Sequence, residues 1–390
     1  MITLTHNIFY LYTQSFNVEC ARCKGRLLCG RLRCPLLEKF RLRTAKIEVG
    51  GIEKPTPPSV FVGRFGYPKV FVGPLIATRE DYPEFLDSPW LWKGRIEDII
   101  AIRMSLIRGM KLVDVRSGGR FIETLQEATA SIRHVFLEGR IERVIEKPIF
   151  DDVLQPMGVA ARIEDLRLVE NPKIPREVEK VWNDEVKAVD AVRLLFDAGF
   201  NTYYIQRLFS IGMLGIEKRL VPTRWSITAV HDILGESLKQ EIAEFEPIDE
   251  AMFFSYEHFG NRFEILILPG EYSFNLIEIW NKWSFWSPDS TWMGYDGETI
   301  AKKKRYSILG GGYYAARLPV LEFLRKIGRK GKVFVLREIK PEYYAPLGVW
   351  VVEEGVRRAF ALGRRDVGYE KIRGFLRKFR YQTTLADFQP

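Results

Sequence analysis

Ser307-Ile308-Leu309-Gly310-Gly311-Gly312-Tyr313-Tyr314-Ala315-Ala316-Arg317-Leu318-Pro319 runs on through an apolar-periodic stretch to Ile327, followed by Lys332-Val333-Phe334-Val335-Leu336. The stretch reads as strand, glycine loop, helix and strand, a unit that mixes both element types in one layer. Proline suits the first turn of a helix, so Pro319 places the helix start beyond the two tyrosines. The glycines before a helix are the geometry of a phosphate cradle, because free amides at a helix amino end favour anions. A strained structural turn explains the same glycines.

Working outward, Pro222–Leu238 reads as a helix capped by Thr223, with Arg224, Thr228 and His231 along one face and Asp232 beside them. Such a stripe can hold a phosphate or supply an acid–base pair, since a neighbouring carboxylate fixes a histidine tautomer. The plain alternative is the solvent face of an amphipathic helix. The phosphate-binding candidates are therefore Arg224, Thr228, Gly311, Gly312, Tyr313, Tyr314 and Arg317; the acid–base candidates are His231, Asp232 and Arg224. Trp280, Trp283, Phe285, Trp286 and Trp292 can stack bases or pack a core beside a strand at Ile265–Leu268. Neither Glu271 nor Glu353-Glu354 acquires a partner from spacing alone. The chain contains no Walker A motif, no HExxH and no Ser-His-Asp signature.

Toward the amino end, Pro175–Gly199 reads as one helix and Glu97–Gly109 as another, while Val60–Val62 and Val70–Val72 form a hairpin around Gly63, Gly66 and Pro68. The fold class is α+β (mixed α/β). A small four-cysteine zinc module leads and a flexible tail closes. The expected segments are 1–50 with the metal module, 51–170 with the paired strands, 171–370 as the main mixed domain and 371–390 as a basic tail.

All four cysteines fall in Cys20-x2-Cys23-x5-Cys29-x4-Cys34. A single tight cluster points to a metal site inside the cell rather than to a disulfide scaffold. Four thiolates close a tetrahedral shell, the mark of structural zinc; an iron–sulfur cluster takes the same ligands, and free or redox-active thiols are the third reading. Arg22, Lys24, Arg26, Arg31 and Arg33 give the segment a basic face. The formal charge of +9 is compatible with nucleic acid as partner, and no apolar run reaches the length of a membrane span.

The last residues place Gln382, Leu385 and Phe388 at three-residue intervals after a basic stretch. In one tight turn Leu385 and Phe388 share a side, a plug for an apolar groove, while Gln382 sets register at its rim. This is the pattern of a peptide that binds the replication sliding clamp (PCNA), with Gln389 where a second aromatic usually stands.

Several segments together resemble the archaeal NreA family of DNA-repair proteins: Cys23-Lys24-Gly25, Leu28-Cys29-Gly30, Cys34-Pro35, Val62–Pro68, Val72–Leu75, Leu220–Val230, Gly311–Leu318 and Tyr343–Trp350. They span nearly the whole chain. The resemblance implies a role in DNA damage repair, an N-terminal zinc-finger-like module and a C-terminal clamp-binding motif. The expected location is cytoplasmic and nucleoid-associated. It implies no particular reaction. A nucleotide- or nucleic-acid-processing enzyme built around Arg224, His231 and Gly310–Gly312 is the second reading, and an adaptor between the clamp and another repair protein is the third.

Overall fold

In chain order the elements are α1 (Cys20–Cys23), α2 (Pro35–Glu38), β1 (Gly50–Thr56), β2 (Val60–Val62), β3 (Lys69–Ala77), two 3₁₀ turns (Pro83–Asp87 and Pro89–Leu91), α3 (Ile96–Met104), β4 (Leu106–Asp114), α4 (Arg120–Ala130), β5 (Val135–Ile145), β6 (Ala160–Leu168), α5 (Arg176–Asn183), α6 (Ala188–Asp197), α7 (Thr202–Ser210), α8 (Thr223–Ile242), β7 (Met252–His258), β8 (Asn261–Leu268), β9 (Ser273–Trp280), β10 (Trp292–Thr299), α9 (Gly311–Ile327), β11 (Lys332–Ile339) and α10 (Trp350–Ala361). This computed structural model describes residues 19–38, 50–78, 83–145, 148–365, 370 and 373–377.

The strands form two mixed sheets. One runs β1-β5-β6-β4-β3-β2 and the other β10-β9-β11-β8-β7. Among the strands of the described residues, β4–β6 and β9–β11 are the parallel pairs, and β9 reaches β11 through β10 and the α9 crossover. Alternation in β8 decides how the second sheet is covered. Ile265 and Ile267 face a core shared with Val230, Leu234 and Leu238 of α8 and with Leu318 and Leu321 of α9. Leu266 points the other way, to Ile277, Leu336 and Phe375. The sheet is thus buried on both faces, and α9 is buried all round from Gly311 to Leu321.

The expected hairpin is present, with Val62 opposite Val72 and Phe61 opposite Gly73. Gly66 makes its turn at φ +85°, where a side chain would press on the Lys69 carbonyl at 2.8 Å. Other expectations need correction. The helix expected over Glu97–Gly109 stops at Met104, and Leu106 onward enters β4 between β3 and β6. A Cβ at Gly73 would lie 2.2 Å from the Gly109 carbonyl, so these glycines mark a close strand crossing. The Pro175–Gly199 helix is two helices, because Asp184 and Lys187 are extended. The apolar spacing continues across that break, which hides it from the sequence. Ser307–Leu309 is a turn, α9 begins at Gly311, and Pro319 lies inside the helix. Packing on every side offsets the hydrogen bond that Pro319 cannot donate.

Candidate nucleic-acid interface and the polar interior

The glycine loop lifts the amino end of α9 toward β9. Gly310 adopts φ +72°, and a Cβ on Gly312 would lie 3.1 Å from Glu278 Oε1. Glu278 is fully buried. Arg337 Nη1 donates to its Oε1 at 2.6 Å, and Lys24 Nζ donates to its Oε2 at 2.9 Å and to the Leu309 carbonyl at 3.3 Å. Burial alone would raise this carboxyl, but Lys24 and Arg337 override it and hold it down to about 2. The anion expected at this helix end is therefore the protein's own carboxylate. The space left beside it, 20 Å³ between Lys24, Asp152, Trp280 and Arg337, has room for about one water.

Arg224 is committed in the same region. It pairs with Asp151 and, at 2.6 Å, with Asp152 Oδ1. Asp151 Oδ1 also accepts from the Val153 and Leu154 amides. Burial and Asp152 push the Asp151 carboxyl up against the pull of Arg224. Thr228 holds the Tyr306 hydroxyl and lies 3.6 Å from the position of a Cβ on Gly311. The structure thus brings together Arg224, Thr228, Gly311 and Gly312. Lys24, Asp151, Asp152, Glu278, Tyr306 and Arg337 complete the cluster. Sequence reasoning missed their grouping because more than 70 residues separate Arg224 from its carboxylates and 254 separate Lys24 from Glu278.

The remaining candidates lie elsewhere. The face of α8 expected to meet solvent is buried at His231, whose Nε2 lies 2.9 Å from Glu353 Oε2 and 3.1 Å from Gln206 Nε2. Asp232 pairs with Arg317 of α9, whose buried guanidinium also reaches Glu236 and Glu298. Tyr313 and Tyr314 are buried in the core, Tyr313 edge-on to Phe274, so they offer no stacking face. Thr223 does not cap α8; its Oγ1 accepts from the Val62 amide at 2.8 Å. Of the aromatic stretch, Trp280, Phe285 and Trp286 are core, whereas Trp283 is exposed.

Outside this interior, aromatic and basic side chains meet at the surface. Phe65 is 79% exposed at the hairpin tip, and Tyr67 and Trp225 touch with ring centroids 5.3 Å apart. Trp225 follows Arg224 on α8, and one turn further Thr228 binds the exposed Tyr306. Lys302, Lys304 and Arg305 lead into Tyr306, and Arg26 is near enough to act on it electrostatically. Arg22, Arg26, Arg31 and Arg33 are exposed on the cysteine segment.

That segment packs onto the body: Ala21, Cys34, Leu36 and Leu37 join a cluster with Trp280, Trp286 and Trp350. Cys23 is buried, Cys29 and Cys34 are half-buried, and Cys20 is exposed. The Cys20 thiol is pushed up by burial and by Cys34, Cys23 and Cys29, so the sulfurs share one neighbourhood. The donor set suits a thiolate-bound ion, although among the described residues no three acidic, histidine or cysteine side chains are grouped as a metal shell. Gln382, Leu385 and Phe388 lie outside the described residues.

Archaeal Nre, N-terminal, matches residues 28–287, and Archaeal Nre, C-terminal, matches residues 298–388. The chain belongs to the archaeal Nre family. It is 55% identical over 349 residues to the DNA repair protein NreA of Archaeoglobus fulgidus, covering 88% of each chain. It is 35% identical over 354 residues to the DNA repair protein NreB of the same organism, again covering 88% of each. It is 37% identical over 324 residues to the DNA repair protein NreA of Haloferax volcanii, covering 78% of this chain and 76% of that one. No solved structure matches. Among the described residues, no helix of this Nre chain is long and apolar enough to cross a membrane.

Proposed function

We propose that this Nre protein is a DNA-repair factor that contacts DNA through the basic, aromatic face around Tyr67, Trp225 and Tyr306 and is held at the replication sliding clamp by its tail. The observation that carries the reading is that face: exposed rings able to stack on bases, interleaved with Arg26, Lys302, Lys304 and Arg305. The relatives' names, DNA repair proteins NreA and NreB, support the process. In the tail, burying Leu385 and Phe388 contributes roughly 3–5 kcal/mol before ordering costs, which leaves an affinity on the order of micromolar. The four cysteines hold a structural zinc ion that fixes the basic segment.

Two measurements test this reading. Anisotropy of labelled DNA is expected to show affinity falling steeply with added salt, because each neutralised phosphate releases counterions. Tyr306→Ala with Trp225→Ala should weaken binding about tenfold or more. Salt-independent binding, or none at low salt, contradicts the DNA contact. Calorimetry of a peptide covering 371–390 against an archaeal clamp tests recruitment: Phe388→Ala is expected to remove most of the binding. Equal binding by the two peptides contradicts it.

The enzyme reading around Arg224, His231 and Gly310–Gly312 gains no support from geometry. His231 faces Glu353 in the interior, while Arg224 faces Asp151 and Asp152.

A further inference from the structure

A cleft of 230 Å³ is lined by Pro57, Pro58 and Ser59 ahead of β2, by the 3₁₀ turns, and by the start of α7. Its charge does not balance. Arg207 of α7 donates from Nη2 to the Ser131 carbonyl at 3.0 Å and stacks on the Tyr204 ring at 4.5 Å. Its Nε is buried with no hydrogen-bond partner. The nearby carboxylate, Asp87, is already engaged: Oδ1 accepts from Arg103 Nη1 at 2.5 Å and Oδ2 accepts from the Ser59 hydroxyl. Two guanidiniums thus share one carboxylate. Burial lowers the Arg207 pKa to about 10, and Tyr204 and Asp87 offset only part of that.

Three rings, Trp90, Phe200 and Tyr204, share the lining with prolines, serines and Asn201. Phe200 stacks on Tyr204 at 5.1 Å, and Trp90, 37% exposed at the rim, stacks on Tyr203 at 5.4 Å. The Tyr204 hydroxyl is taken by the Ala130 carbonyl, and its ring lies against Phe200 and Arg207. A smaller cavity of 60 Å³ shares Asp87 and Arg207 and extends to Gln206. Arg207 can therefore be approached from two sides.

A cation that shares its one carboxylate with a second guanidinium, set beside the Trp90 and Phe200 rings, selects a ligand that is anionic at one end and flat at the other. The volume falls below the roughly 300–1,000 Å³ of drug-sized pockets, which limits that ligand to a single unit. We propose that this cleft binds one nucleotide, its phosphate on Arg207 and its base against Trp90 and Phe200. The nucleotide comes either free or as one unit of a single strand. The cleft shares no lining residue with the basic face, so that face need not function for it to be occupied.

Calorimetry on the full chain tests the site with thymidine monophosphate, thymidine, inorganic phosphate and a ten-nucleotide thymidine strand. Thymidine monophosphate is expected to bind at least tenfold more tightly than thymidine or phosphate. Trp90→Ala is expected to weaken it about tenfold, as loss of a stacking ring does. Trp90 is partly exposed, so this variant should melt as the parent does; Arg207→Lys keeps the charge and is the second variant. If both variants weaken the monophosphate and the strand alike, the cleft accepts either source. If only one ligand responds, that ligand is the source. Equal binding of phosphate and monophosphate, or unchanged affinity for both ligands in both folded variants, overturns the proposal. Strand binding that responds to Tyr306→Ala and not to Trp90→Ala assigns the strand to the basic face, and the tail is judged separately by Phe388→Ala.

Discussion

Glu353 shows what a fully buried charge needs. Thr202 Oγ1 donates to its Oε1 at 2.5 Å and Arg357 Nη1 lies 2.8 Å from the same oxygen, while His231 Nε2 is 2.9 Å from Oε2. Burial alone would raise the carboxyl, but Arg357 and His231 hold it down to about 2 from its ordinary 4.5. Arg357 is itself held by Glu322 and Glu354, so the charges form a closed set. A folded-state pKa below the unfolded one stabilises above about pH 4.5, and that stability is lost as pH falls toward 2. A drop of this size corresponds to at most about 3 kcal/mol at neutral pH, and Glu278 behaves alike. The urea midpoint is expected to fall between pH 6 and pH 3, and to fall less steeply in Glu353→Gln. A flat profile over that range contradicts the account.

At the scale of elements, α8 and α9 cross where a glycine meets an arginine. A Cβ on Gly235 would lie 2.5 Å from Arg317 Nη2 and 2.7 Å from its Nε. That contact seats the guanidinium against Asp232, Glu236 and Glu298, and Lys239 also meets the two glutamates. Gly235→Ala therefore trades a better helix former for a displaced buried charge. Displacement wins: propensity returns about 1 kcal/mol, whereas disturbing a buried ion pair costs about 3–5 kcal/mol. A lower melting temperature than the parent's is expected, and a higher one overturns the packing argument. This crossing also shows why the sequence was legible only in part. The apolar periods of α8 and α9, the β2–β3 hairpin, β8 and β11 follow from local spacing, and all are present. The break between α5 and α6 and the passage of α3 into β4 are set by tertiary packing, which no local window contains. The same holds for the candidate site. Arg224, Thr228 and the glycines were visible as a motif, whereas the carboxylates that neutralise Arg224 and replace the expected phosphate come from β9 and the segment before β6.

At the scale of the molecule, Lys24 adds a buried ion pair to the apolar contacts of Ala21, Leu36 and Leu37 that hold the cysteine segment to the body. Lys24 directly follows Cys23 and adopts a left-handed φ of +44°, with its amide donating to the Cys20 carbonyl. Its side chain passes the Trp280 ring at 5.3 Å to reach Glu278 and the loop ahead of α9. Gly25 beside it comes close enough to Trp286 that a Cβ would lie 3.2 Å away. If the four thiols hold zinc, the ion orders this turn, and its loss frees Lys24 and leaves Arg337 as the cation facing Glu278. Metal binding is then coupled to the stability of the whole body rather than to a detached finger. Elemental analysis of the purified chain is expected to find close to one zinc per molecule, reduced in Cys29→Ser. Cys29→Ser and Lys24→Met should both lower the main melting transition, the lysine variant without losing metal. Removing one partner of a buried pair costs about 3–5 kcal/mol, and Arg337 offsets part of that here. A preparation free of both zinc and iron rules out the metal, and a Lys24→Met variant that melts like the parent rules out the coupling.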